Sequence, residues 1–189
     1  VLPAAFAKPT ESTKPHICQS ASERWTPTSR LMEIEADLLT SRSSPRFLFI
    51  SSSYFAFQTF AVVLDQIGDK NVYPTVHVTL AFIWCLSFKR DYIKHIETVI
   101  PWTAIALFLN TMIRGDTDVS VIQSEQFPVS DTWKQVPEDF CLRGQAWTGP
   151  YYPPGFFEPP PTEEDGRWIE APSLNIARAS RCLWLGGRI

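Results

Sequence analysis

The prolines of this chain decide which of its segments can form helices. Proline lacks a backbone donor and clashes with the preceding turn, so it fits the first position of a helix and disrupts the interior. Of the 16 prolines, Pro45 and Pro101 each precede a long apolar stretch, whereas residues 150–161 hold six. The sequence therefore predicts helices that begin at these two prolines and a non-helical loop at 150–161.

Between the prolines, apolar residues recur every three or four positions, which is the spacing of one helix face. From Pro45 this pattern runs to Leu64, and Gly68 follows as a residue suited to the end of a helix. The next helix, starting at 71–74, is apolar on most sides, as is typical of a helix packed between neighbours. Shorter helices are predicted at 92–99, from Pro101 to Arg114, within 137–147, and from Pro172 to Arg188. β-branched residues around Val76 also suit a strand, but the helical spacing and lengths favour an all-α fold.

The chain divides into a tail and one domain. Residues 1–30 are rich in Pro, Ser and Thr, which predicts a disordered tail or linker. Residues 31–189 are predicted to form a helical domain that opens with a short helix at Leu31–Leu39. Within it, 115–136 is acidic and lacks periodicity, so we predict a long loop. Because the chain begins without Met and ends inside a predicted helix, we expect a C-terminally truncated fragment of a larger protein.

One segment has the composition of a membrane helix. Phe47–Leu64 carries no charged residue and is close to the roughly 20 apolar residues that a bilayer requires. It also holds three serines at 51–53, Gln58 and Thr59, and Asp65 follows directly. We therefore predict a helix of a soluble helical hairpin and no membrane contact, with a membrane span as the alternative.

The sequence contains no recognisable catalytic or metal-binding motif. The patterns G-x-x-x-x-G-K, G-x-S-x-G and H-E-x-x-H are absent. The four cysteines form no C-x-x-C pair, and three histidines do not complete a zinc site by spacing. Cys141, among apolar residues, is predicted to be a structural thiol, and the cysteines in general are predicted to be buried or idle thiols. We predict no enzymatic activity, cofactor, metal or small-molecule substrate.

A net charge of −3 gives no overall basic signature for nucleic acid, so such binding would need a local patch. Arg178, Arg181 and Arg188 lie close together on the last predicted helix and, with Arg143, predict one basic patch. Tryptophans 147, 168 and 184 lie between these arginines in the sequence and could stack on bases. The alternative is structural: the tryptophans belong to the core, and Arg143 pairs with Glu170 or Asp139.

A second group of basic residues lies at a predicted turn between helices. It consists of Lys89, Arg90 and Lys94. These residues are a second candidate for binding nucleic acid or a partner. The alternative is that they are ordinary solvated charges.

Paired blocks near the end of the chain resemble a known family. The blocks are PEDFCLRG at 137–144, the Tyr/Pro/Phe loop, EAPS at 170–173 and RCLWLG at 181–186. With FAFQ at 55–58, HVTLAFIW at 77–84 and IPWTAIALFLN at 100–110, they resemble the DNA/RNA-binding-type domain of the Est/SMG family, which comprises telomerase-associated and nonsense-mediated decay factors. The resemblance covers 43–189.

The resemblance implies an α-α superhelix of helical hairpins, similar to a tetratricopeptide solenoid. It implies a non-enzymatic scaffold acting in RNA surveillance or telomere maintenance, in nucleus and cytoplasm. Its partners would be proteins of a decay or telomerase complex and single-stranded RNA or DNA. The alternative is a purely protein-binding α-solenoid scaffold. The family's phosphoserine-binding and nuclease functions belong to other domains and are not expected of this chain.

Overall fold

The computed structural model describes residues 45–115, 117–129, 135–158 and 173–189. Within those ranges it contains helices, turns and irregular segments and no strand. The all-α prediction is therefore confirmed for the described residues. The predicted tail at 1–30 and the predicted helix at Leu31–Leu39 lie outside them. The α-helices, in chain order, are α1 (Pro45–Leu64), α2 (Tyr73–Ser87), α3 (Arg90–Ile96), α4 (Trp102–Met112), α5 (Val119–Gln123), α6 (Pro137–Leu142) and α7 (Leu174–Gly186).

The predicted turn after α1 is present. Gly68 has a φ of 87°, a conformation in which a side chain is strained. The Asp69 carboxylate then accepts a 2.9 Å hydrogen bond from the Asn71 N–H, which starts a short 3₁₀ helix at Lys70–Val72. Pro74 follows in the first turn of α2. Gly68, together with Asp69 as the N-cap of the 3₁₀ helix, thus forms the turn that connects α1 to α2.

Helix α2 occupies the centre of the fold, as its apolar surface predicted. Helices α1, α3, α6 and α7 all pack against it, and α7 packs in turn against α4 and α5. The core at this junction includes buried aliphatic residues from three helices: Leu80 and Ile83 of α2, Leu109 of α4 and Leu183 of α7. The last helix of the chain is therefore surrounded by structure rather than attached at the edge.

The prediction of an unbroken loop at 115–136 is wrong in part. A five-residue helix, α5, forms where the Asp118 carboxylate accepts a hydrogen bond from the Ser120 N–H at 2.9 Å. Such a short helix has too few turns to show periodicity in the sequence. Its packing against α7 supplies the stability that its length does not.

Helix α1 has one packed and one open face. Phe57, Phe60 and Leu64 are buried in the core, whereas Leu48 and Phe55 point outward and are exposed. By length and composition alone, residues 47–64 could cross a membrane, with a mean hydropathy of 1.7. Core helices of soluble proteins can share this length and composition, but they are mostly buried, whereas 22% of this span is buried. What distinguishes α1 among the described helices is therefore the uncovered apolar face.

Candidate functional site

The first polar side chains of the site come from α6. Pro137 occupies the first turn of this helix, and the Asp139 carboxylate accepts a 2.8 Å hydrogen bond from the Val136 N–H at its start. This arrangement fixes the helix start and holds Glu138 and Asp139 side by side facing the core. Both are buried although both are acidic.

Two arginines of α7 face these carboxylates. The Arg178 guanidinium donates to both Glu138 oxygens, from Nε at 2.8 Å and from Nη2 at 2.9 Å. Arg181 Nη1 donates to the two Asp139 oxygens at 2.7 and 2.6 Å. The two arginines are only 2% and 1% exposed. Neighbouring acids on α6 thus match arginines one turn apart on α7, and we call these four residues the ion-pair hub.

His77 connects the ion-pair hub to α2. Its Nδ1 lies 2.9 Å from Glu138 Oε1, and its Nε2 lies 2.5 Å from the Tyr151 hydroxyl. Because a carboxylate only accepts, the Nδ1 N–H donates to Glu138. The Tyr151 hydroxyl is the hydrogen-bond partner of Nε2. A continuous chain of hydrogen bonds therefore joins the aromatic loop, α2, α6 and α7.

The ionisation of the site follows from these contacts. Burial acts to raise the pKa of Glu138, but the hydrogen bonds from His77 and Arg178 outweigh it and hold the pKa at about 2. Burial raises the pKa of Tyr151 well above its usual value. Glu138 therefore stays ionised and Tyr151 keeps its proton across the physiological range.

Aromatic rings close the ion-pair hub on the loop side. The Tyr152 hydroxyl donates to Asp139 Oδ1 at 3.0 Å, and the Tyr152 ring stacks on Phe156 at 4.9 Å. The Arg181 guanidinium lies over Phe127 and Phe156, 5.1 and 5.4 Å from their ring centroids. Aromatic residues of the predicted proline-rich loop thus attach residues 150–158 to α2 and α6. The remainder of that loop lies outside the described residues.

The structure corrects the predicted basic patch on the last helix. Arg178 and Arg181 are buried in ion pairs, so their guanidinium groups do not belong to an exposed surface. The Trp184 ring is buried as well, and its Nε1 donates to the Ser124 carbonyl at 3.0 Å. Arg188 stacks on Trp184 at 4.0 Å and donates to the carbonyls of Ile122 and Ser124. The α7 side chains, together with Arg188 just after the helix, hold α7 to α5 and α6, which is the structural alternative.

The other predicted basic residues remain at the surface. Arg143 is exposed and lies over the Phe157 ring at 5.1 Å, while its suggested partner Asp139 pairs with Arg181. Lys89 and Arg90 are exposed at the α2–α3 turn, and Lys94 forms a 2.7 Å ion pair with Asp91. Trp168 and Glu170 lie outside the described residues. Cys141 is exposed, which does not support the structural role predicted for its thiol.

Sequence reasoning did not assign roles to His77, Glu138 or Tyr151. One signal was available: the adjacent acids Glu138-Asp139 and the spacing Arg178-x-x-Arg181 are complementary if the two helices cross. A single histidine within the apolar surface of α2 was a second signal, because a buried polar group requires partners.

The described residues include no cluster of His, Cys, Asp and Glu that could hold a metal ion. Comparison with protein-family models, curated proteins and solved structures gave no significant match.

Proposed function

We propose that this chain is a non-enzymatic helical binding module of the Est/SMG type, built as an α-α superhelix of helical hairpins. It acts in RNA surveillance or telomere maintenance, in nucleus and cytoplasm, by holding together protein partners of a decay or telomerase complex. One observation carries the proposal. The blocks that resemble the family, 137–144 and 181–186, come together at the ion-pair hub, where Asp139 of the first pairs with Arg181 of the second.

The burial of these residues favours a scaffold over a direct chemical role. Glu138, Asp139, Arg178 and Arg181 are used to join α6 to α7, and His77 extends the connection to α2. Breaking one partner of such a pair leaves an uncompensated charge in the interior. The resembling residues therefore define the shape of the module, and its partners contact the outer surface.

The proposal is tested in cells that lack this protein. We expect either a rise in the level of a reporter mRNA with a premature stop codon or a change in telomere length. Restoring the wild-type protein reverses the defect, and Arg181→Met, which breaks the ion-pair hub, restores less. A chain whose loss changes neither readout is not a module of either pathway.

A second candidate function is single-stranded nucleic-acid binding at the α2–α3 turn. Phe88 and Tyr92 are 61% and 55% exposed there, beside the exposed Lys89 and Arg90. Exposed aromatic rings stack on bases and basic side chains contact phosphates, which together suit a single strand. With Arg178 and Arg181 buried, this turn is the surface that best fits the predicted basic–aromatic pattern.

Fluorescence anisotropy with labelled single-stranded RNA and telomere-like DNA tests this second function. We expect binding that weakens as salt rises, and a slope of log affinity against log salt that falls by about 2 in the variant Lys89→Glu/Arg90→Glu. Lys70→Glu, an exposed lysine outside the turn, serves as the matched control. No binding at low salt by folded protein leaves the purely protein-binding scaffold.

A further inference from the structure

Tyr151 is a buried phenol whose hydroxyl contacts an imidazole nitrogen. The residue is 2% exposed, and its hydroxyl lies 2.5 Å from His77 Nε2. The Nδ1 proton of His77 is directed at the Glu138 carboxylate, so Nε2 is the nitrogen on which a neutral imidazole accepts a second proton. The pair therefore has the two parts that oxidation of a phenol requires, which are the phenol itself and a base for its proton.

Removal of one electron from a tyrosine is coupled to loss of its hydroxyl proton, because the phenol radical cation is a very strong acid. Burial raises the pKa of Tyr151 well above its usual value, so the phenolate does not form first. The product of the coupled step is a neutral tyrosyl radical, which burial does not destabilise as it destabilises a charge. The proton forms an imidazolium on His77, and the Glu138 carboxylate beside it stabilises that charge.

A half-buried tryptophan connects this pair to the surface. The ring centroid of Trp84 lies 6.0 Å from that of Tyr151 and 4.8 Å from that of Phe88, which is 61% exposed. Among aromatic side chains, indole and phenol lose an electron most readily, and electron transfer between rings this close is fast. Trp84 is therefore the residue through which an oxidant at the surface can withdraw an electron from Tyr151.

The second tryptophan of this group is less suited to hold the radical. The Trp184 ring lies 5.8 Å from that of Trp84, so electrons can also pass between the two indoles. The Arg188 guanidinium stacks on Trp184, 4.0 Å from the ring centroid. A positive charge this close disfavours a radical cation on the same ring. Oxidation of Trp84 therefore continues to Tyr151.

The neighbouring tyrosine has a weaker base. The Tyr152 ring lies 4.7 Å from that of Tyr151, and its hydroxyl donates to Asp139 Oδ1 at 3.0 Å. Both Asp139 oxygens also accept from Arg181, and a carboxylate paired in this way resists protonation. An imidazole is by nature the stronger base of the two, which favours Tyr151 as the residue that is oxidised.

We propose that Tyr151 is a site of reversible one-electron oxidation, with Trp84 as the electron relay and His77 as the proton acceptor. A radical oxidant, such as the carbonate radical or a peroxyl radical, takes one electron from Trp84. Tyr151 then gives one electron to Trp84 while its hydroxyl proton moves to His77 Nε2, so an O–H bond breaks and an N–H bond forms. A small reductant such as ascorbate later supplies one electron to Tyr151, and the proton returns from His77. This activity goes beyond the proposed function, since it does not depend on which partner the module binds.

Flash photolysis of the full chain tests the proposal. A photo-excited ruthenium tris-bipyridine complex is oxidised by an added electron acceptor and then withdraws one electron from the protein. In samples frozen after illumination, we expect the electron paramagnetic resonance spectrum of a tyrosyl radical. Tyr151→Phe should abolish this spectrum, and Tyr92→Phe, the matched control at a 55% exposed tyrosine, should retain it. A spectrum unchanged by Tyr151→Phe, or a tryptophan radical alone in the wild type, would overturn the proposal.

The relay has a separate test. Trp84→Phe keeps an aromatic ring in place but removes the indole, so we expect the transient absorption of the tyrosyl radical to rise more slowly than in the wild type. Trp102→Phe, at a half-buried tryptophan of α4, is the matched control and should leave the rate unchanged. Equal rates in the Trp84→Phe variant and the wild type would remove Trp84 from the proposal.

The role of His77 is tested with and without a substitution. His77→Gln should lower the rate of radical formation about a hundredfold, because the base is lost. In the wild type, heavy water should slow the same step, since the proton moves with the electron. Electron–nuclear double resonance on protein labelled with heavy nitrogen in histidine should detect coupling to the radical. These two measurements decide the case even where His77→Gln does not fold, and the absence of both effects would contradict proton transfer to His77.

Discussion

Arg178 and Arg181 are charged side chains buried in the interior, and each forms an ion pair with a carboxylate there. The geometry is bidentate for Arg178, and both Asp139 oxygens accept from Arg181. Such pairs contribute little net stability relative to apolar residues, because both charges must be desolvated. Their effect is on specificity instead, because the observed arrangement of α6 and α7 places both acids against both arginines.

Breaking one pair should be costly. Arg181→Met removes the cation and leaves Asp139 buried, and we expect a loss of about 3–5 kcal/mol in the free energy of unfolding. Arg143→Met is the matched control, because Arg143 is exposed and its ring contact is worth below about 1 kcal/mol. Urea unfolding measures both. Adding Asp139→Asn to Arg181→Met should recover part of the loss, and equal effects of the two single variants would contradict the interpretation.

Glu138 predicts how stability depends on pH. Its pKa is about 2 in the folded protein against 4.5 for an ordinary glutamate, so the ionised form is favoured by folding. The stabilisation is therefore complete above about pH 4.5 and is lost as the pH falls toward 2. We expect the urea midpoint to fall over this interval in the wild type and less steeply in Glu138→Gln. The exposed Glu97→Gln should keep the wild-type slope.

At the scale of elements, the helix starts were largely predictable and the ends less so. Pro45 begins α1 as predicted, and Pro101 immediately precedes α4, because proline fixes the backbone where a helix starts. The helix predicted at 92–99 is found at Arg90–Ile96, and the one in 137–147 ends at Leu142. These ends depend on tertiary contacts that no local pattern contains.

The turn between α1 and α2 gives a test at this scale. At Gly68, with a positive φ and no atom within 4 Å of an added Cβ, an alanine would be strained without any clash. We expect Gly68→Ala to cost about 1 kcal/mol in thermal or urea unfolding. Gly115 is equally open but has no positive φ, so Gly115→Ala should be neutral or slightly stabilising. Equal effects at the two positions would exclude the conformational explanation.

At the scale of the whole molecule, the ion-pair hub joins segments far apart in sequence. Glu138 lies 61 residues from His77 and 40 from Arg178. The spacing in the sequence correctly placed Arg178 and Arg181 on neighbouring turns of the last predicted helix. The sequence alone could not show that these arginines face the interior, because that depends on contacts with α6 and the aromatic loop, which are distant in sequence.

This connectivity predicts cooperative opening of α2 and α7. Both are buried among neighbours, so their amide hydrogens should exchange only on global unfolding. Helix α3, which is short and mostly exposed, should exchange by local opening. In hydrogen-exchange mass spectrometry, Arg181→Met should reduce protection equally in α2 and α7 and leave α3 unchanged. Loss of protection in α7 alone would mean that the two helices open independently.

Glu138 pairs with Arg178, and Asp139 pairs with Arg181. This pairing also affects the electrostatic potential that another molecule experiences at a distance from the protein. Each pair sums to zero charge, and the potential of a small dipole decays faster with distance than that of a single charge. An approaching polyanion therefore experiences Lys89, Arg90 and the other surface charges, and is not attracted by the arginines of α7. The electrostatic landscape outside this protein is set by only part of its arginines.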